Sequence, residues 1–164
     1  MKKTLITFAF FLLAFSVPEI AAFEYTGIKG EYMTIENTGF YGMGIFTSNK
    51  RFDAEAEIFL SSKLLAGTTD TASANYKKYY YAFAGYFHFI RTDSISYYVG
   101  AGIMPFIARA YAYHVALGLD FFWHNDFRVF YQYRFLFNTA SDYAYPKGSA
   151  FSAGFKYTWS SMNY

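Results

Sequence analysis

The sequence predicts an all-β fold, an eight-stranded antiparallel transmembrane up-and-down β-barrel behind an N-terminal signal peptide. Three observations carry this expectation. Apolar residues alternate with small or polar ones at a period of two through eight segments. The 164 residues include 18 Tyr, 21 Phe and 2 Trp, more rings than the core of a small domain can hide. The face opposite those rings carries glycine, alanine and nearly every mid-strand charge.

Composition sets the outer limits. The length is that of one ordinary domain. A formal charge of +2 gives no electrostatic case for nucleic acid. The absence of cysteine excludes disulfides, thiolate zinc sites and iron–sulfur clusters. No cofactor is implied.

Residues 1–22 read as a signal peptide. Lys2 and Lys3 form a positive start, and Thr4–Val17 is an apolar stretch too short to span a membrane as a helix. Pro18 breaks it, and the small residues Ala21 and Ala22 precede the expected cleavage point. Residues 23–164 form the expected barrel.

The segments follow in order. In residues 25–35, Ile28 and Tyr32 oppose Lys29 and Glu31. In 41–47, Tyr41, Met43 and Ile45 oppose Gly42, Gly44 and Phe46. In 53–60, Asp53, Glu55 and Glu57 oppose Ala54, Ala56 and Ile58. In 77–91, Tyr79, Tyr81, Phe83, Phe87 and Phe89 oppose Tyr80, Ala82, Ala84, Tyr86 and His88. In 95–107, Tyr97, Val99 and Ile103 oppose Tyr98, Gly100 and Gly102. The clearest alternation runs from Tyr111 to Trp123, with Val115, Leu117 and Leu119 opposite His114, Ala116 and Asp120. Phe127–Asn138 sets Tyr131, Tyr133 and Phe135 against Arg128, Gln132 and Arg134. Phe151–Trp159 sets Phe155 and Tyr157 against Gly154 and Lys156.

A solvated face has no steric reason to be small, whereas the inside of a narrow barrel does. The glycines therefore place the charged face inward and the rings toward lipid. The links near Asn49–Arg51, Thr92–Ser94 and His124–Asp126 are short, while Gly67–Tyr76 and Ala140–Gly148 are long. That asymmetry puts both termini and the short turns on the periplasmic side. Trp123, Tyr157 and Trp159 are then expected in the periplasmic aromatic belt, and Tyr79, Tyr81, Tyr111 and Tyr113 in the outer one.

The inward face should hold Lys29, Glu31, Asp53, Glu55, Glu57, His88, His114, Asp120, Arg128, Arg134 and Lys156 as a polar network plugging the lumen, because buried charges demand partners. The three alternate acids at 53, 55 and 57 are expected to pair with Arg128, Arg134 and the lysines. No catalytic residue is expected. His114 is followed two residues on by Ala116, and His88 by Ile90, while Ser96 and Ser152 have no base assigned by the sequence. Three scattered histidines give no metal site. The candidate recognition residues lie in the links. Lys77, Lys78, Arg109 and Lys147 suit lipopolysaccharide phosphates, and Tyr143 and Tyr145 suit an extracellular protein or glycan.

With its signal peptide, eight alternating strands, closing segment FSAGFKYTW (Phe151–Trp159) and terminal Tyr164, the chain resembles the small eight-stranded outer-membrane β-barrel proteins of the OmpX/Ail-like or OmpA-barrel-like kind. Ser160–Asn163 departs from the closing-strand pattern. The resemblance implies a monomer in the cell outer membrane, a last strand recognised by the outer-membrane assembly machinery, and contact with lipids including lipopolysaccharide. Its expected role is envelope structure or surface adhesion through extracellular loops. The alternatives are a narrow ion or small-solute channel, a lipid A-modifying hydrolase, and a soluble lipocalin-like binder with its rings inside and a Lys/Glu-rich exterior.

Overall fold

The computed structural model describes residues 24–35, 38–62, 79–105, 111–124, 126–138 and 148–160. Residues 1–22 lie outside them. Eight strands form: β1 (Tyr25–Ile35), β2 (Thr38–Ser48), β3 (Phe52–Ser61), β4 (Tyr79–Arg91), β5 (Ile95–Pro105), β6 (Tyr111–His124), β7 (Phe127–Asn138) and β8 (Gly148–Ser160). Each pairs antiparallel with its sequence neighbour, and β1 pairs with β8, so the sheet closes without an edge. Closure matters because hydrocarbon offers no partner to an unpaired strand edge.

The start of β1, the end of β8 and the three short turns share one end. There Asn49 Oδ1 accepts hydrogen bonds from the backbone N–H groups of Arg51 (2.8 Å) and Phe52 (2.7 Å), the side-chain geometry that favours Asn in tight turns. Thr92 Oγ1 accepts from Ile95 N–H at 3.1 Å in the next turn. Two register shifts, between His88 and Ile90 and between Phe122 and His124, fall at this same end. They halt the strict alternation, so that Phe89 and Ile90 both face outward.

The exterior is apolar all round. Ten Lys, Arg, Asp or Glu residues lie in the described strands; nine are buried, and Arg91 sits at the short-turn rim. Midway down the strands the outward surface is Met43, Ile45, Phe83, Val99, Val115, Leu117 and Tyr131. A surface of this kind is stable only against lipid, so the barrel crosses a membrane. It is the reverse of the lipocalin-like alternative, whose rings would be inside. Trp123 and Trp159 are exposed at the short-turn end, and Tyr79 and Tyr81 at the other.

Inside, large side chains sit beside small ones in several rows of the sheet. One row runs Asp53, Tyr86, Gly100, Ala116, Arg134, Ala150, and another runs Phe130, Gly154, Glu31, Gly42, Phe59. The glycines make room for side chains projecting over them. A Cβ on Gly154 would stand 2.1 Å from the carbonyl oxygen of Gly30 and 2.7 Å from Glu31 Cα, both backbone atoms that cannot swing aside. A Cβ on the outward Gly85 would meet nothing within 4 Å. Gly154→Ala should therefore cost about 1–3 kcal/mol of unfolding free energy, and Gly85→Ala should lie within about 0.5 kcal/mol of the parent. Urea titration of the barrel in lipid vesicles measures both.

The lumen is not polar throughout: an apolar cluster joins the polar network. Toward the end opposite the short turns it is filled by Met33, Ile35, Phe40, Phe59, Tyr80, Ala82, Met104, Ala112, Leu136 and Ala150. The reason is parity carried further than the sequence pattern showed. β2 starts at Thr38, which turns Phe40 inward, and β1 continues inward through Met33 and Ile35. The charges occupy the middle and the short-turn end.

Candidate functional site in the barrel lumen

All eleven expected lumen residues are buried on the inward face. β3 contributes Asp53, Glu55 and Glu57 at alternate positions, so one strand presents a column of three carboxylates. In a closed ring of eight, β7 stands diametrically opposite β3, and it carries Arg128 and Arg134. β8 beside it carries Lys156, and β1 beyond β8 carries Lys29; Lys29 and Lys156 are directly paired in register, as are Arg128 and Lys156. Three adjacent cations would repel one another if left alone. The facing carboxylates make the row tenable.

Near mid-lumen, Arg134 donates from Nη1 to Glu57 Oε2 and from Nη2 to Glu57 Oε1, each at 3.1 Å, and from Nη2 to Glu31 at 3.1 and 3.2 Å. Its Nε donates to Gln132 Oε1 at 3.0 Å. Lys29 bonds Glu57, donates to Glu55 at 2.7 Å, and lies 3.6 Å from Glu31. Gly44, between Lys29 and Glu57 in the register, leaves the space in which they meet. Lower down, Lys156 lies 2.7 Å from Glu55 and 3.0 Å from Asp53. Arg128 lies 3.2 Å from Asp120 and 3.5 Å from Asp53. Rings pack against the same cations: Phe130 under Lys29, Phe59 under Arg134, and Phe46 under Arg128. Nine charged side chains thus form one connected set, four cations against five acids.

His88 joins this set and His114 does not. His114 is buried over Gly102, and its ring nitrogens have no hydrogen-bond partner. His88 Nδ1 lies 2.6 Å from Ser96 Oγ, and its Nε2 is 3.3 Å from Asp53 Oδ1. The structure therefore brings to Ser96 a histidine and an acid that sequence spacing did not associate with it. The arrangement is not that of an activated nucleophile. Ser96 is fully buried, out of reach of a substrate, and its hydroxyl also has the Ile90 carbonyl as an acceptor at 3.2 Å. The pairing was hidden because Ser96 and His88 sit on neighbouring strands beside a register shift.

The candidate loop residues Lys77, Lys78, Arg109, Tyr143, Tyr145 and Lys147 lie outside the described residues. The ion-paired interior and lipid-type exterior define the class: a small transmembrane β-barrel. Comparisons agree on the fold. The chain is similar to a de novo designed transmembrane β-barrel (TM-score 0.61, 9% identity, covering 83% of this chain and 96% of that one). It is also similar to the N-terminal β-barrel domain of Pseudomonas aeruginosa OprF (TM-score 0.60, 9% identity, 83% and 98% covered) and to the designed barrel TMB2.3 (TM-score 0.57, 12% identity, 82% and 93% covered). The fold is that of the small outer-membrane barrels. No family model and no curated sequence matches the chain.

Proposed function

We propose that the chain is a resident of the cell outer membrane, exported by residues 1–22, with a structural barrel that holds surface links in place for contact with the outside. The observation that supports this most is the distribution of charge: nine strand charges are buried and paired inside, and among the described residues the lipid-facing surface between the rims has none. Such a barrel is a rigid stand rather than a conduit. Arg134, Tyr86, Tyr98, Phe40, Phe46, Phe59 and Phe130 are among its largest fully buried side chains. In this reading Lys77, Lys78, Arg109 and Lys147 meet lipopolysaccharide phosphates, and Tyr143 and Tyr145 contact an extracellular protein or glycan. The last strand engages the assembly machinery, and the barrel works as a monomer.

Planar-bilayer recording tests the sealed lumen. The purified protein should give no steady unitary conductance in 1 M KCl, on the order of the ionic strength at which screening is most complete. Reproducible conductance steps would turn the assignment to a narrow channel. Whole-cell binding to immobilised glycans and matrix proteins tests the surface role. It should fall in a Tyr143→Ser/Tyr145→Ser variant that still reaches the outer membrane in normal amount, and unchanged binding would remove those residues from it.

A further inference from the structure

We propose that Asp53, His88 and Asp120 form a binding site for one divalent cation of the zinc class at the short-turn end of the lumen. The site goes beyond the surface-contact role and does not depend on it. One ligand atom from each of the three residues lies within 4.8 Å of the others, and all three side chains are buried.

The hydrogen bonds around His88 fix its orientation. The Ser96 hydroxyl has a single proton, and the Ile90 carbonyl, which can only accept, lies 3.2 Å from it. When the hydroxyl donates to that carbonyl, Ser96 Oγ accepts from His88 Nδ1–H at 2.6 Å. In that tautomer the neutral ring presents its Nε2 lone pair to Asp53 Oδ1 at 3.3 Å. Two acceptors at that separation repel unless a metal ion, or the proton of an imidazolium, lies between them. A histidine whose second nitrogen is held by a hydrogen bond is the usual form of a metal-ligating imidazole.

The aspartates point the same way. Lys156 and Arg128 approach Asp53 on Oδ2, and Arg128 approaches Asp120 on Oδ2. Asp120 Oδ1 is buried with no hydrogen-bond partner. Ser48 Oγ donates to Asp53 Oδ1 at 2.5 Å and holds that carboxylate in place. The lysine and arginine thus leave oxygens of both acids unused by them, and the lumen holds one acid more than it has Lys and Arg. One imidazole and two carboxylates suit Zn²⁺, with a fourth position left to water. The cluster lies close to the barrel mouth, since Asp53 pairs with Ser48 beside the first short turn and Asp120 pairs with Ser96 beside the second.

The test uses the chain purified from membranes in detergent micelles, titrated calorimetrically with ZnCl₂. One ion should bind per barrel. Affinity should fall about tenfold or more in His88→Gln and in Asp120→Asn, and stay unchanged in His124→Gln, which removes an exposed rim histidine, and in His114→Gln. Slower migration after heating, as for any closed barrel, verifies that each variant is folded. Cu²⁺ electron paramagnetic resonance on the unaltered chain keeps the test independent of the variants, and should show one imidazole nitrogen among oxygen ligands. Absence of binding heat with an aqueous Cu²⁺ spectrum would overturn the site, leaving a proton as the occupant. Zinc binding lost in His124→Gln and kept in His88→Gln would overturn it equally.

Discussion

Arg134→Met should destabilise the barrel by about 3–5 kcal/mol, the range for breaking a buried ion pair from one side. The guanidinium bonds both oxygens of Glu57 and reaches Glu31 and Gln132. Methionine keeps the apolar stem over Phe59 and removes all of those donors. Glu31 and Glu57 would then share only Lys29, which already serves Glu55. Much of the loss is therefore the cost of stranded carboxylates, and Arg134→Met combined with Glu31→Gln and Glu57→Gln should recover a large part of it. Urea unfolding in lipid vesicles, followed by tryptophan fluorescence, measures each. If the single variant unfolds like the parent, the central ion pairs do not support the barrel.

Leu117→Arg should cost about 2–4 kcal/mol, the range for a cationic residue on the lipid face near the bilayer midplane. Leu117 lies at the centre of β6 and its side chain is 55% exposed. A charge placed there meets hydrocarbon, and no neighbouring outward residue can pair with it. Trp123→Arg, six residues along the same strand at the short-turn rim, should cost only about 0–1 kcal/mol from charge alone, because the side chain reaches headgroups. The contrast between the two positions measures depth. Equal costs at both would mean that the barrel does not sit in the bilayer with Leu117 at its middle.

Much of this was legible along the chain because a strand points successive side chains to opposite faces. That parity alone put Lys29, Glu55, Asp120, Arg134 and Lys156 on one side and Tyr131, Leu117 and Phe155 on the other. The glycines gave the direction, since only a crowded interior needs residues without a side chain. Where parity was interrupted the pattern lost its force. The shifts at His88/Ile90 and Phe122/His124, and the start of β2 at Thr38, escaped it. The meeting of Ser96 with His88 escaped it for the same reason, whereas Met33 and Phe40 keep to parity and form an apolar plug.

The sequence by itself determined the period, and with it the face each strand residue occupies and the apolar surface that only lipid tolerates. Which charge meets which partner was decided by closure. Pairing β1 with β8 sets β3 across from β7, and places Asp53 and Glu57 against arginines more than seventy residues away in the chain. Parity is a local property of the backbone, whereas a contact across the lumen depends on the circumference and stagger of the whole barrel, which no single strand specifies.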